Sequence, residues 1–311
     1  MTADFRFDGR VAIVTGAGRN LGRAHARLLA ELGAQVVVND HGGTKEGEGG
    51  DAGPANEAVA EIKAAGGTAV ADTSDVSREE GCHALVDTAV REFGRIDIVV
   101  NNAGISRFAT FPDADAENLD RTLDVHVRGT WNVTRAAWPH MVSQGYGRVI
   151  TTTSTGMFGG LENLAYATAK GALIGFTRSL APEAAKHGIL VNCIAPNAVT
   201  RPSTAAPRPN ITTTGQDPAR AQAMRASLVS PMVAYLAHES CAVNGEILIA
   251  GGRRFARWFL GVTPGYQSAS EGDPTVAEID AHWAEVTDQD GYYVPASLFD
   301  WSSRFFSHFG G

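Results

Sequence analysis

The chain has 311 residues, 44% hydrophobic and 19% charged, enough to bury a substantial core. A formal charge of −8 with no long Lys/Arg run argues against nucleic-acid binding. No apolar leader opens the chain and no apolar run reaches the roughly 18 residues of a membrane span, so a soluble cytoplasmic protein with no membrane partner is expected.

Val11–Thr15 is a short β-branched apolar run between Gly9 and Gly16, the pattern of a buried strand. The turn Thr15-Gly-Ala-Gly-Arg-Asn-Leu-Gly22 leads into helical spacing over Leu21–Leu32, which stops at Gly33. A second strand, Gln35–Asn39, ends at Asp40. Strand, glycine turn, helix, strand and acidic residue in that order are the layout of a dinucleotide site. Glycines let the backbone approach a pyrophosphate, and the helix N-terminus offers N–H donors to it. Asp40 is placed to accept from both ribose hydroxyls of NAD, and with Glu46, Glu48 and Asp51 behind it would repel a 2′-phosphate. Arg19 and Lys45 pull toward NADP, but the strand-end carboxylate favours NAD.

Residues 41–54 form a glycine-rich acidic loop, expected to be mobile and exposed. A helix over about 54–65 leads to a strand near Thr68–Ala71. Asp75-Val76 follows, where the carboxylate either meets an adenine amino group or caps the next helix. Residues 79–93 have helical period, and Ile96–Val100 reads as a strand ending in Asn101-Asn-Ala-Gly104. Small and amide residues there leave room for a flat cofactor, and suit an ordinary turn equally well. Residues 115–143 read as one long helix, Gly147–Thr153 as a strand, 164–186 as a helix and Ile189–Ile194 as a strand. An irregular Pro/Thr/Ser-rich loop over 201–215 precedes helical residues 217–238 and a last strand at Glu246–Ala250. The alternation predicts an α/β fold: a doubly wound parallel sheet of Rossmann type over 1–252, one domain with an aromatic-rich C-terminal arm over 253–311. That arm is expected to pack on the domain or on a neighbouring subunit. Cys82, Cys193 and Cys241 are far apart and lack ligand spacing, so they read as reduced thiols and no metal is expected.

Tyr166-Ala-Thr-Ala-Lys170 places a phenol and an ammonium one helical turn apart on the same face. The ammonium is expected to lower the phenol pKa and make Tyr166 a general acid or base. Ser154 ends the preceding strand, 12 residues before Tyr166.

Together, Thr15-Gly…Gly22, Asn101-Asn-Ala-Gly104, Ser154 and Tyr166-x-x-x-Lys170 resemble the short-chain dehydrogenases/reductases over about residues 8–252. Val36–Gly43, Val125-His-Val-Arg-Gly129, Ile194–Ala198 and His238–Cys241 with Asn244-Gly245 resemble the dehydrogenase part of the type 2 multifunctional enzyme and its bacterial single-domain relatives. The resemblance implies an NAD-dependent oxidoreductase acting on a (3R)-3-hydroxyacyl-CoA or a steroid-like substrate. It implies Tyr166 as acid/base, Lys170 as the residue that tunes it and binds the nicotinamide ribose, and Ser154 as the ligand of the substrate oxygen. Cofactor contacts would come from Gly16, Gly18, Asn20, Leu21, Gly22, Asp40, Asp75, Val76, Asn101, Ala103, Gly104, Tyr166, Lys170, Pro196, Val199 and Thr200. A homo-oligomer, dimer or tetramer, is implied through the helices near 115–143 and 164–186.

Three positions depart from the wider family's pattern. Asn20 replaces the middle glycine of the turn, and asparagine tolerates left-handed backbone. His126 stands where a helix asparagine serves the family's proton relay. The family's Ser-to-Tyr spacing falls on Thr153, so either Thr153 or, with one loop residue deleted, Ser154 takes the substrate-oxygen role; Ser154 is preferred. Other readings are a free hydroxysteroid or carrier-protein ketoacyl substrate, or a dinucleotide-binding sensor without turnover.

Overall fold

The computed structural model describes residues 5–199, 218–270 and 272–309. The chain divides into two compact units, Met1–Arg257 and Trp258–Gly311.

The first unit is built on one sheet with strand order β3-β2-β1-β4-β5-β6-β7-β8. Its strands are β1 (Val11–Thr15), β2 (Gln35–Asn39), β3 (Thr68–Asp72), β4 (Ile98–Asn101), β5 (Gly147–Thr152), β6 (Ile189–Pro196), β7 (Ile247–Gly251) and the edge strand β8 (Arg254–Trp258). Pairing from β3 through β7 is parallel throughout. β8 falls within the stretch expected to form the C-terminal arm.

Alternate strand residues face opposite layers, as the two-residue period of a strand requires. Ala12, Val14, Val36, Val38, Ile98 and Val100 pack under helices α1 (Asn20–Glu31) and α2 (Gly53–Ala64). Val11, Ile13, Val37, Val99 and Val149 pack against α3 (Glu79–Phe93) on the other face. Each fully buried Val or Ile contributes about 1.5–3 kcal/mol.

The stretch expected as one helix over 115–143 is three pieces. Helix α4 (Ala116–Leu123) runs into a π turn, Asp124–Arg128, and then α5 (Gly129–Gln144). The extra residue of a π turn swings His126 into the interior, where it is fully buried. Helix α6 (Leu164–Ala185) carries Tyr166 and Lys170. Helix α7 (Pro218–Ala223) and helix α8 (Ser230–Ala237) precede β7, and α8 joins the α1 side of the core.

Strand order reverses direction at β1, whose neighbours β2 and β4 send their connections to opposite faces. The crevice beyond the carboxyl ends of these strands is where ligands bind in such a sheet.

The second unit holds helices α9 (Val276–Ala281), α10 (Trp283–Thr287) and α11 (Leu298–Phe305), with Val262 bridged to Tyr293. Tyr266 stacks on His282 at 3.8 Å and donates to Glu278 at 2.9 Å, while Trp301 stacks on Phe305. Among the described residues no helix is long and apolar enough to cross a membrane.

Candidate active site

The turn after β1 and the turn after β4 are stitched together by side chains. Thr15 Oγ1 accepts from the N–H groups of Asn102 and Ala103, both at 3.0 Å. Asn102 Nδ2 returns bonds to the carbonyls of Thr15 at 2.9 Å and Gly16 at 3.2 Å. The approach is close enough that only glycine fits. A Cβ on Gly16 would lie 2.9 Å from the Ala103 Cα, and one on Gly22 would lie 2.2 Å from the Gly16 oxygen. Gly16 also has positive φ (+62°), and Asn20 adopts left-handed geometry at +48°.

The residues present fit a dinucleotide. A Cβ on Gly18 would meet the Asp40 carboxylate at 2.8 Å, so glycine there leaves the cradle open. The N-cap residue of α1, Arg19, makes no side-chain cap hydrogen bond among the described residues, which leaves the leading turn, with Asn20, Leu21 and Gly22, to an anion. Asp40 is held rigidly at the end of β2, with Gly18 N donating to Oδ2 at 2.9 Å and Gly42 N donating to Oδ1 at 2.8 Å. Each oxygen retains a lone pair for a ribose hydroxyl.

Asp75 Oδ1 accepts from Ser77 N at 2.9 Å, so the carboxylate is engaged in an Asx turn just ahead of α3. Val76 is buried beside it, and Gly129 approaches its carbonyl so closely that a Cβ would sit at 2.9 Å. Asn101 is buried, donates to Thr134 at 3.1 Å, and among the described residues its Oδ1 has no hydrogen-bond partner. Pro196 ends β6, and Val199 N donates to the Met224 carbonyl at 2.9 Å. Thr200 lies outside the described residues.

The residues with chemistry converge at the ends of β5 and α6. Thr153 is buried and its hydroxyl donates to the Lys170 carbonyl at 2.7 Å, so it is turned into the α6 backbone. Ser154 points the other way. Its Oγ accepts from Gly156 N at 3.0 Å, leaving its own hydroxyl proton to donate. Gly156 marks how near Ser154 and Tyr166 are: a Cβ there would be 3.3 Å from Ser154 Oγ and 3.5 Å from Tyr166 Cε1.

Lys170 is fully enclosed, and its Nζ donates to the Thr152 carbonyl at 2.6 Å. Burial pulls its pKa from an ordinary 10.5 down to about 8. The expected lowering of the Tyr166 phenol does not follow from this geometry. Desolvation pushes that phenol up, and the Ser154 hydroxyl only partly opposes it. The Lys170 ammonium lies 5.6 Å from the ring centroid and is itself weakened, so the low dielectric around the partly accessible phenol decides the direction.

His126 completes the wall. Its ring is edge-on to Tyr166, its Nε2 is hydrogen-bonded to the Ile105 backbone, and burial with the Lys170 charge holds its pKa well below 6.5. The imidazole is therefore neutral. Sequence reasoning flagged His126 but not its inward turn, and it had no signal for Thr152, whose backbone carbonyl does the work. Asn102 was visible as part of the Asn-Asn-Ala-Gly turn, but its stapling role was not.

The short chain dehydrogenase family model matches residues 10–211, a span that holds the glycine turn, Asp40, Asn101, Ser154, Tyr166 and Lys170. The chain is a short-chain dehydrogenase. Members bind a nicotinamide dinucleotide and act on hydroxyl groups, so this is an oxidoreductase of CH–OH groups. A Mycobacterium tuberculosis protein named as a short-chain type dehydrogenase/reductase is 42% identical over 283 residues, covering 91% of this chain and 95% of the relative. Mouse peroxisomal multifunctional enzyme type 2 is 44% identical over 252 residues, 81% of this chain but 33% of that protein. A 7α-hydroxysteroid dehydrogenase complexed with NADH and 7-oxo glycochenodeoxycholic acid superposes with a TM-score of 0.71 at 30% identity, covering 81% of this chain and 97% of that one.

Proposed function

We propose that this short-chain dehydrogenase uses NAD to interconvert a secondary alcohol and a ketone on a 3-hydroxyacyl-CoA, with a bulky or steroid-derived acyl chain the first choice. The observation that carries it is the convergence of Ser154, Tyr166 and Lys170 beside a dinucleotide cradle closed by Asp40.

Ser154 and Tyr166 hydrogen-bond the substrate oxygen where negative charge develops, which stabilises it in a partly desolvated site. Tyr166 carries the proton to or from that oxygen. Lys170, fixed on the Thr152 carbonyl, supplies positive charge behind Tyr166 and a donor for the nicotinamide ribose. The cofactor supplies hydride transfer, and the residues here orient it and keep out water. Asp40 supports NAD, since two fixed carboxylate oxygens suit a diol and repel a 2′-phosphate.

The thioester reading rests on the resemblance to the type 2 multifunctional enzyme, of whose mouse form this chain spans a third of the length. A free hydroxysteroid is the second reading, favoured by the bile-acid complex of the structural relative. The charge of −8 disfavours an acidic carrier protein as substrate, and retention of both Tyr166 and Lys170 disfavours a sensor without turnover. A homo-oligomer is supported by Trp131 of α5, more than half exposed and edge-on to Phe176 of α6.

The test is a panel of (3R)-hydroxyacyl-CoA esters, short-chain through steroid side-chain, and free hydroxysteroids, each with NAD and NADP. Thioester turnover with NAD supports the reading. Turnover confined to free steroids replaces the substrate, and preference for NADP removes the Asp40 assignment.

A further inference from the structure

The segment 41–52 between β2 and α2 is an Ω-shaped loop tied at its neck and docked at its tip. At the neck, Asp51 N donates to the His41 carbonyl at 3.0 Å and Gly42 N to Asp40. A Cβ on Gly42 would lie 1.8 Å from the Asp51 carbonyl oxygen, so the two limbs touch. The tip is closed by Thr44 N to the Glu48 carbonyl at 2.8 Å and Gly47 N to the Thr44 carbonyl at 3.1 Å. The loop expected to be free is therefore held in shape by its own backbone.

The tip lies on residues that follow β4, not on those that flank β2. Ser106 N donates to the Lys45 carbonyl at 2.8 Å, and Gly47 packs on Ile105, where a Cβ would lie 3.0 Å from the isoleucine side chain. Arg107 Nη1 donates to the Glu48 carboxylate at 2.9 Å and reaches the Glu46 carbonyl at 3.4 Å. Arg121 Nη2 donates to the Gly47 carbonyl at 3.0 Å. On the near side Arg19, in the glycine turn, donates to the Gly43 carbonyl at 3.1 Å.

The strand order puts β1 between β2 and β4. A segment that leaves β2 and is fastened after β4 must pass the carboxyl end of β1, which carries the glycine turn. We propose that residues 41–52 are a strap across the bound dinucleotide, and that Arg107 and Arg121 are positioning residues that hold it down and slow the cofactor's release. The strap rests on the dinucleotide reading of the site but not on any choice of substrate. The Arg107–Glu48 latch is an ion pair near the surface, so salt weakens it.

The experiment is stopped-flow displacement of NADH from the full-length protein, followed by nicotinamide fluorescence, in the parent and in Arg107→Gln/Arg121→Gln. Amide exchange of residues 43–49 in the same proteins reports whether the strap has been freed. The expected result is faster exchange in the double variant with an NADH dissociation rate about threefold higher or more. A smaller rise with the strap freed overturns the strap while the dinucleotide site stands. Unchanged exchange overturns the role given to the two arginines. A parent that binds neither NADH nor NADPH overturns both the strap and the dinucleotide reading.

Discussion

The imidazole of His126 stands edge-on to the Tyr166 ring, with centroids 5.4 Å apart and planes at 88°, and its Nε2 lies 2.9 Å from the Ile105 carbonyl oxygen. One side chain thus braces the phenol and the loop after β4 together. Gly104 is what admits it: a Cβ there would fall 2.5 Å from His126 Cε1.

Gly104→Ala must therefore displace the imidazole and, with it, Tyr166 and Ile105. Its kcat is expected to fall about 10- to 100-fold, the scale of a misplaced acid/base. Adding His126→Ala removes the clash, so the double variant should lose less than the sum of the singles. A double-mutant cycle on kcat and Tm measures this, and additive losses would show the two residues to be independent.

Lys170 trades stability for chemistry. Its folded pKa of about 8 lies below the ordinary 10.5, so below pH 8 the fold bears the full cost of a buried ammonium. That cost is relieved as pH rises from about 8 to about 10.5. Lys170→Met, similar in volume, should gain about 1–3 kcal/mol at pH 7 and progressively less toward pH 10, while turnover drops at least about 100-fold. Denaturant midpoints at both pH values, with kcat, check both halves.

Asp40→Ala removes the acceptor for the Gly18 and Gly42 N–H groups along with the negative charge. KM for NAD should rise about tenfold or more, and the NADP/NAD ratio of kcat/KM should rise too. An unchanged ratio would mean that cofactor choice is made elsewhere.

Acid should loosen the α1–α8 contact. His25 is buried with its Nδ1 2.8 Å from Ser230 Oγ, and burial pushes its pKa from 6.5 down to about 3. The unfolded chain takes up this proton below about pH 6.5 while the folded chain refuses it until about pH 3, so stability falls as pH drops through that window. The slope is about 1.4 kcal/mol per pH unit for each such histidine, and His126 acts in the same sense. His25→Gln should flatten the acid limb of a urea-denaturation profile.

Local pattern made β1, β2 and α3 legible to the residue, because strand alternation and helical period are carried by neighbours in sequence. The π turn at Asp124–Arg128 was not legible, since one extra residue leaves the apolar pattern of the flanking helices intact. The loop over 41–54 read as mobile because its anchors, Ser106, Arg107 and Arg121, lie more than fifty residues away. Tyr166 shows the same limit in electrostatics. The i, i+4 ammonium is visible in sequence, whereas the burial that outweighs it is a property of the packed site. Thr153 and Ser154 share a strand end, and only the strand's pleat turns one hydroxyl to the Lys170 carbonyl and leaves the other beside Tyr166.

The most direct test of the proposed chemistry is Tyr166→Phe, assayed for alcohol oxidation with NAD alongside NADH binding. Removal of the phenolic hydroxyl should cut kcat by about 1,000-fold or more and leave NADH affinity within about threefold. A variant that binds NADH normally and keeps kcat within about threefold of the parent would show that the proton moves by another route.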